Sequence, residues 1–311
     1  MMDFTNCEMR KKAYSGANGT KKCIVYNGEI YMLKLSGHPT RKTDLSYANG
    51  CVSEYIGCHI YEMLDIPVQS TILGTYTAND KQRLAVACKD FTKPGITLLD
   101  FAALKNQVVD SASGGYNTDL DEILFSIEEQ ESIDPVIVLE RFWDMFVIDA
   151  FLGNFDRHNG NWGFLYDEIN DKLTLAPVYD CGSCLYPQAD KDMIQKVLND
   201  IGERHTRVYN YPTSAIKQNN KKLSYHDFLI ATDNEDCLQT LLKIYPRIDI
   251  DKINTFIESI DVIDDLQKQF YKTMLTERFN LILTPAYKRA VELFESKDKN
   301  LELKTVNRIL I

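Results

Sequence analysis

Phe151-Leu-Gly-Asn-Phe-Asp-Arg-His-Asn-Gly-Asn-Trp-Gly-Phe-Leu165 is the stretch whose reading decides the rest of the chain. It packs an acid (Asp156), a base (His158) and three amides (Asn154, Asn159, Asn161) between glycines. An apolar helix is expected before it and a strand after it. A polar loop held between two buried elements suits catalysis, because a rigid scaffold fixes the groups while the loop exposes them. In the Asp-x-x-x-x-Asn spacing of Asp156 and Asn161, a carboxylate can orient a hydroxyl nucleophile while an amide oxygen reaches a divalent cation. Downstream, Leu175-Ala-Pro-Val-Tyr-Asp-Cys-Gly182 offers a second acid, Asp180, at the end of an expected strand. Acid, amide and second acid form the metal-and-base set of phosphoryl transfer. Asp and Asn also cap turns; Asp180 behind the loop tips the reading towards chemistry.

The composition allows that reading. With 311 residues, 44% of them apolar, the chain can bury a sizeable core and form two lobes. A formal charge of -10 argues against a nucleic-acid partner held by phosphate contacts, which needs a basic face. The start, Met1-Met-Asp-Phe-Thr-Asn-Cys7, shows neither a basic nor an apolar leader region, and no apolar run is long enough for a transmembrane helix. The eight scattered Cys suit reduced, buried thiols of a cytoplasmic protein better than a disulfide framework. Cys181-Gly-Ser-Cys184 is a single CxxC without a second pair, and we expect both thiols to be small apolar fillers beside Asp180.

Upstream, residues 14–22 form a Gly-containing loop in which Gly16 and Gly19 would let backbone amides approach phosphate oxygens, with charge from Lys21 or Lys22; many such loops are merely turns. Asn27-Gly28 then marks a hairpin between Cys23–Tyr26 and Glu29–Leu35. In its second strand Ile30, Met32 and Lys34 share a face. Lys34 is either a strand lysine snorkelling past apolar neighbours or a cation aimed at a nucleotide phosphate. Residues 46–64 read as a helix with Tyr47, Cys51, Tyr55 and Cys58 along one stripe. Glu54 on it either pairs with Lys34 or is a solvated surface acid. Strands over 68–76 and 84–88, joined through Ala78-Asn-Asp-Lys81, complete an antiparallel sheet. Lys89-Asp-Phe-Thr-Lys-Pro-Gly95 breaks the pattern as a linker or hinge.

From Leu98 the chain reads as mainly helical. Asp134-Pro135 is an N-cap with proline in the first turn, opening a helix to about Leu152 with Leu139, Phe142, Trp143, Phe146 and Ala150 buried. A hairpin over 162–166 and 172–176 delivers Asp180. Helices are expected over 190–201, 224–231, 235–244, 250–260, 263–282 and 285–296, and a solvated charged tail over 296–304.

Asn154-Phe-Asp-Arg-His-Asn-Gly-Asn161 resembles the Asn-x-Asp-x-His-x-x-Asn catalytic loop of HipA-like serine/threonine kinases, and Ala176-Pro-Val-Tyr-Asp180 resembles their metal-binding segment. The resemblance runs from Asp3 to about Leu293. It implies an α+β, two-lobed protein-kinase-like fold, with a small antiparallel β-rich N-lobe (1–91) and a mostly helical C-lobe (92–311). It implies ATP and Mg²⁺ as cofactors, Asp156 as catalytic acid/base, and Asn161 and Asp180 as metal ligands. His158 would brace the catalytic loop. Lys34 would bind the ATP phosphates and Glu54 would support it. Gly16, Ala17, Asn18 and Gly19 would form the phosphate loop, and Ala87, Cys88 and Lys89 would present backbone to adenine. The partner implied is a protein with a Ser or Thr acceptor, including a second copy of the chain phosphorylated in trans at Ser15 or Thr20. Longer HipA-type toxins carry an extra N-terminal subdomain before this loop, which counts against a HipB-like antitoxin as partner. The resemblance also admits delivery outside the cell without a signal peptide. The Asp-Arg-His-Asn-Gly-Asn string is similar to phosphoinositide kinase loops too, so a lipid or small-molecule acceptor is the alternative.

Overall fold

Asn27 and Gly28, both at positive φ (50° and 80°), turn the strand Lys21–Tyr26 into Glu29–Leu35 as the hairpin signal requires. In this computed structural model, residues 1–14, 21–37, 48–109 and 113–309 are described, with side chains as far as Lys297. The first sheet holds β1 (Met2–Asp3), β2 (Glu8–Arg10), β3 (Lys21–Tyr26), β4 (Glu29–Leu35), β5 (Thr71–Ala78) and β6 (Lys81–Lys89). Its order is β1-β5-β6-β4-β3-β2. It is antiparallel except for β1, which runs parallel to β5, a departure from the all-antiparallel expectation. Helix α1 (Gly50–Met63) packs across one face. There Cys51, Val86 and Cys88 enclose Met32, while Phe4, Ile24, Tyr31, Leu33 and Leu35 make the core of the other face. The period of two therefore puts Met32 and Lys34 on the α1 side; Ile30, expected on an apolar surface, is 38% exposed. The expected helix start and Tyr47 fall in 38–47, outside the described residues.

Beyond the linker, β7 (Ile96–Asp100) precedes α2 (Phe101–Val108), α3 (Leu120–Glu129) and α4 (Pro135–Leu152). Strands β8 (Gly163–Asp167) and β9 (Lys172–Leu175) follow. The expected two-stranded hairpin is thus a three-stranded sheet, because β7 pairs with β8 from Ile96 opposite Asp167 to Asp100 opposite Gly163. The remainder comprises α5 (Lys191–Asn199), α6 (Ile201–Tyr209), a short hairpin of β10 (Lys217–Gln218) and β11 (Lys221–Lys222), then α7 (Tyr225–Ala231), α8 (Glu235–Ile244), α9 (Ile250–Glu258), α10 (Asp265–Arg278) and α11 (Thr284–Ile309). Helix α6 and the β10–β11 hairpin were not anticipated. Residues 279–283 widen into a π-helical turn that joins α10 to α11. The charged run after 296 continues α11 rather than forming a tail. One hydrophobic core centred on α4 unites these helices, with Leu139 at its margin rather than inside. All eight cysteines are free and all but Cys7 are buried. Among the described residues no helix is long and apolar enough to cross a membrane.

Candidate active site

Helix α4 aims the catalytic-type loop. Asp134 accepts from the Val136 N–H with Pro135 in the first turn, and Gly153 closes the helix at φ 65°. The decisive residue inside the helix is Asp149, fully buried four residues before that end. Its carboxylate accepts from Arg157 Nε at 2.9 Å, Tyr61 Oη at 2.9 Å and Asn154 Nδ2 at 3.0 Å. A buried charge is tolerated when it is paired and fully hydrogen-bonded. Arg157 then reaches onward. Its Nη1 donates to the Asn161 carbonyl at 2.9 Å and to the Tyr179 carbonyl, so one guanidinium ties the loop to the segment that carries Asp180. Asn154 turns the loop by accepting from the Asp156 N–H at 3.0 Å, and its own carbonyl accepts from Tyr225 Oη at 2.6 Å. Asn159 is buried and donates to the carbonyls of Gly115 and Asn117. His158 Nδ1 accepts from the Gly160 N–H at 3.0 Å, a bond within the loop.

Opposite the loop, β4 and α1 present the cations and acids. Lys34 Nζ donates to Glu54 Oε2 at 2.7 Å and to Asp180 Oδ1 at 2.8 Å. Glu54 is 0% exposed, so the surface-acid alternative does not apply, and its second oxygen accepts from the Cys181 N–H at 3.1 Å. Asp180 sits at φ 59°, in the left-handed region that Asp and Asn enter more readily than other non-glycine residues. The expected strand before Asp180 is instead an isolated parallel bridge, Val68 to Val178, which ties that segment to the residues leading into β5. Lys21 stands directly across from Lys34 in the β3–β4 ladder.

The two acids are driven apart electrostatically. The Lys34 charge holds Asp180 down to about 2, against its burial. Burial pushes Asp156 above the ordinary aspartate range, with the Asp180 charge adding to it and His158, Lys222 and Arg157 opposing. Burial pulls Lys34 down, yet Asp180 and Glu54 outweigh it and raise it well above normal. Glu54 is pushed up by burial, with Lys34 opposing.

The donors suit a hard cation. Asn161, 9% exposed, commits its Nδ2 to the Asp156 carbonyl at 2.8 Å, which leaves the amide oxygen to point elsewhere. With ionised Asp180 it offers two oxygens, the protein share that Mg²⁺ takes when phosphate and water complete its octahedron. Among the described residues no group of three or more His, Cys, Asp or Glu forms a metal cage.

Ala87 and Cys88 lie buried in β6 between β4 and β5. At Lys89 the N–H donates to the Ser70 carbonyl and the carbonyl accepts from Gln69 Nε2. Just beyond, Asp90 accepts from Lys12 Nζ at 2.6 Å and Tyr14 Oη at 2.7 Å, fastening residues 12 and 14 to the linker. Gly16, Ala17, Asn18 and Gly19, with Ser15 and Thr20, lie outside the described residues. Sequence reasoning missed Asp149, Arg157 and Tyr225; a lone acid in the apolar run Phe146-Val-Ile-Asp-Ala-Phe151 was the available signal for the first.

The arrangement has known counterparts. The family described as HipA-like C-terminal domain matches residues 11–244. The chain is 48% identical over 294 residues to the serine/threonine-protein kinase CtkA of Helicobacter pylori, covering 94% of this chain and 89% of that protein. The crystal structure of a Helicobacter pylori proinflammatory kinase CtkA superposes with a TM-score of 0.89, covering 94% of this chain and 98% of that one. HipA of Shewanella oneidensis MR-1, solved with HipB and operator DNA, shares the fold at a TM-score of 0.55 and 16% identity, over 90% of this chain and 67% of that one. Taken with the loop, the buried lysine–glutamate pair and the acid beside it, these matches mean that the chain belongs to the HipA-like C-terminal domain family.

Proposed function

We propose that this protein transfers the γ-phosphoryl group of ATP to a Ser or Thr hydroxyl of a protein. The observation that carries the reading is Lys34 held between Glu54 and Asp180, with Asp156 near enough for the Asp180 charge to act on it. Lys34 and Lys21 supply the positive face that attracts phosphate oxygens. Asp156 accepts the proton of the acceptor hydroxyl and orients its oxygen for attack, while Asn161 fixes that loop through the Asp156 carbonyl. Mg²⁺, held by Asn161, Asp180 and phosphate oxygens, would offset charge developing on the transferred group. His158 braces the loop. Gly16, Ala17, Asn18 and Gly19 would contact the ATP phosphates in this proposal, and Ala87, Cys88 and Lys89 would wall the adenine site. The lobes divide near residues 91 and 92.

Incubating the protein with labelled ATP and Mg²⁺ in the presence of a protein acceptor or of phosphoinositide vesicles tests the reading. Label should enter the protein acceptor. Label in lipid alone would move the chain to the lipid kinases, and label in neither would remove the kinase reading. A second copy of the chain also serves as acceptor in this proposal, at Ser15 or Thr20. Mass spectrometry of an Asp156→Asn target mixed with active enzyme should find phosphate within residues 13–22.

A further inference from the structure

The β10–β11 hairpin carries Lys217, Lys221 and Lys222 on two-residue strands joined by Asn219 and Asn220, both at positive φ (52° and 62°). Lys217 lies directly opposite Lys222 in the ladder. Like charges in that relation repel and destabilise a strand pair. Among the described residues no carboxylate pairs with any of the three, although the whole chain has 45 acids against 35 Lys and Arg. Two acids at the start of α3, which packs beside β10, are committed elsewhere. Asp119, bridged through its backbone to Lys217, caps α3, and Glu122 holds Lys105 and Asn117. Lys221 and Lys222 are exposed, on a strand with no second neighbour in its sheet.

This charged edge is keyed to the catalytic loop from two sides. The Lys217 N–H donates to the Thr118 carbonyl at 2.8 Å, and the preceding Asn117 carbonyl accepts from Asn159 of the loop. After the hairpin, Tyr225 Oη bonds the Asn154 carbonyl. At its root, Ser214 and Ile216 share the wall of one small cavity with Asp149 and Arg157, the loop's own anchors. The charge of Lys222 is felt at Asp156. Among the described residues these mutually repelling cations near Asp156 have no salt-bridge partner.

We infer that the β10–β11 hairpin is the docking edge for the acceptor, selecting a Ser or Thr flanked by Asp or Glu in an extended peptide. The inference rests on the kinase reading above. The outer edge of β11 offers backbone groups to an added strand, and the lysines offer charge to alternate side chains of that strand.

The test uses the full chain, Mg²⁺-ATP and three sets of single-serine peptides, flanked by acidic, neutral or basic residues. Acidic peptides should exceed basic ones in kcat/KM by about fivefold, the scale of one or two exposed charge pairs, and the gap should shrink in high salt. The Lys221→Glu/Lys222→Glu variant should invert the preference, and Lys222→Gln should flatten it. Fluorescence anisotropy of the same peptides without ATP should show the same order of affinity. Equal kcat/KM and equal affinity across the three sets would overturn the docking edge while leaving the kinase reading intact. Transfer to no acceptor with the affinity order preserved would overturn the kinase reading alone. Binding to anionic vesicles that the charge-reversed variant loses, without peptide discrimination, would assign the hairpin to a lipid surface instead.

Discussion

Lys34 Nζ and Asp180 Oδ1 are 2.8 Å apart although 146 residues separate them in the chain. One contact therefore joins the strand that would meet ATP phosphates to the acid that would meet Mg²⁺. Glu54, at 2.7 Å on the same ammonium, keeps Lys34 in place from the helix side.

Lys34→Ala follows from that contact. Nucleotide binding should weaken by about 1.5–3 kcal/mol, the scale of a hydrogen bond to a charged group. The variant should also alter pH dependence. Asp180 is held at about 2 chiefly by Lys34, so without the ammonium its burial raises it. Its carboxylate then protonates at a higher pH, and Mg²⁺-dependent ATP binding should fail earlier on acidification than in the wild type. Calorimetry from about pH 7 down to about pH 4 measures both effects. Identical acid sensitivity in the two proteins would show that Lys34 does not set the state of Asp180.

Asp156 and Asp180 respond to acid differently. Asp156 is shifted up by burial while Asp180 is shifted down, so acidification protonates Asp156 first. Turnover should therefore lose its base on an acid limb centred above the ordinary aspartate value, at pH where nucleotide still binds. Asp156→Asn should keep ATP affinity and reduce turnover by at least about a hundredfold, the usual scale of general-base loss. Asp180→Asn should weaken Mg²⁺-dependent ATP binding itself. Wild-type turnover in Asp156→Asn would end its assignment as the base.

Much of this was legible in the sequence, for local reasons. Asn27-Gly28 admits few backbones other than a tight hairpin, and Asp134-Pro135 starts α4 where an N-cap and a first-turn proline belong. The spacing of Asp156, Asn161 and Asp180 pointed to a site because those residue types together have few structural uses. What stayed hidden depends on partners chosen in three dimensions. Arg157 showed no role in the sequence because its partners, Asp149 and the carbonyls of Asn161 and Tyr179, are selected by the folded loop. Strand β7 showed no clean alternation, since its residues are half-buried or exposed and pair only on one side. The Lys217–Lys222 hairpin turns on Asn-Asn rather than Asn-Gly and has only two residues per strand. The charged run after 296 resembled a tail because charge alone does not distinguish a solvated helix from a coil.

Gly57 sets how closely α1 approaches the Asp180 segment. A Cβ there would lie 2.8 Å from the Cys181 Cβ and 3.5 Å from the Cys184 sulfur. Alanine is otherwise the better helix residue by about 1 kcal/mol, so an uncrowded Gly57→Ala would stabilise the fold. The neighbour here sits close to the backbone and has little room to yield, so overpacking of about 1–3 kcal/mol should prevail. The displaced helix carries Glu54 one turn earlier, so ATP affinity should fall together with stability. Chemical denaturation and nucleotide titration check the two effects. A Gly57→Ala protein at least as stable as wild type would show that α1 and Cys181 can separate freely.

Arg157 yields a prediction in which stability and activity separate. Arg157→Leu removes the counter-ion of a fully buried Asp149 and leaves it only Tyr61 Oη and the Asn154 amide as side-chain donors. Breaking a buried pair in this way costs about 3–5 kcal/mol. Burial already pushes Asp149 up with Arg157 opposing, so the variant's Asp149 should rise further. A folded-state acid raised above its unfolded value favours folding while protonated, and that contribution is lost as pH rises through the folded value. The stability deficit of Arg157→Leu should therefore be larger at about pH 8 than at about pH 5. Adding Asp149→Asn removes the unpaired charge and should recover much of the stability. It should not recover turnover, because Asn161 and Tyr179 still lack the guanidinium that joins their carbonyls. Denaturation midpoints at the two pH values, with kcat and KM for the single and double variants, decide the matter. Recovery of kcat along with stability would reduce Arg157 to a structural counter-ion; a stable double variant with kcat still depressed would establish it as the residue that positions the Asp180 segment against the Asp156 loop.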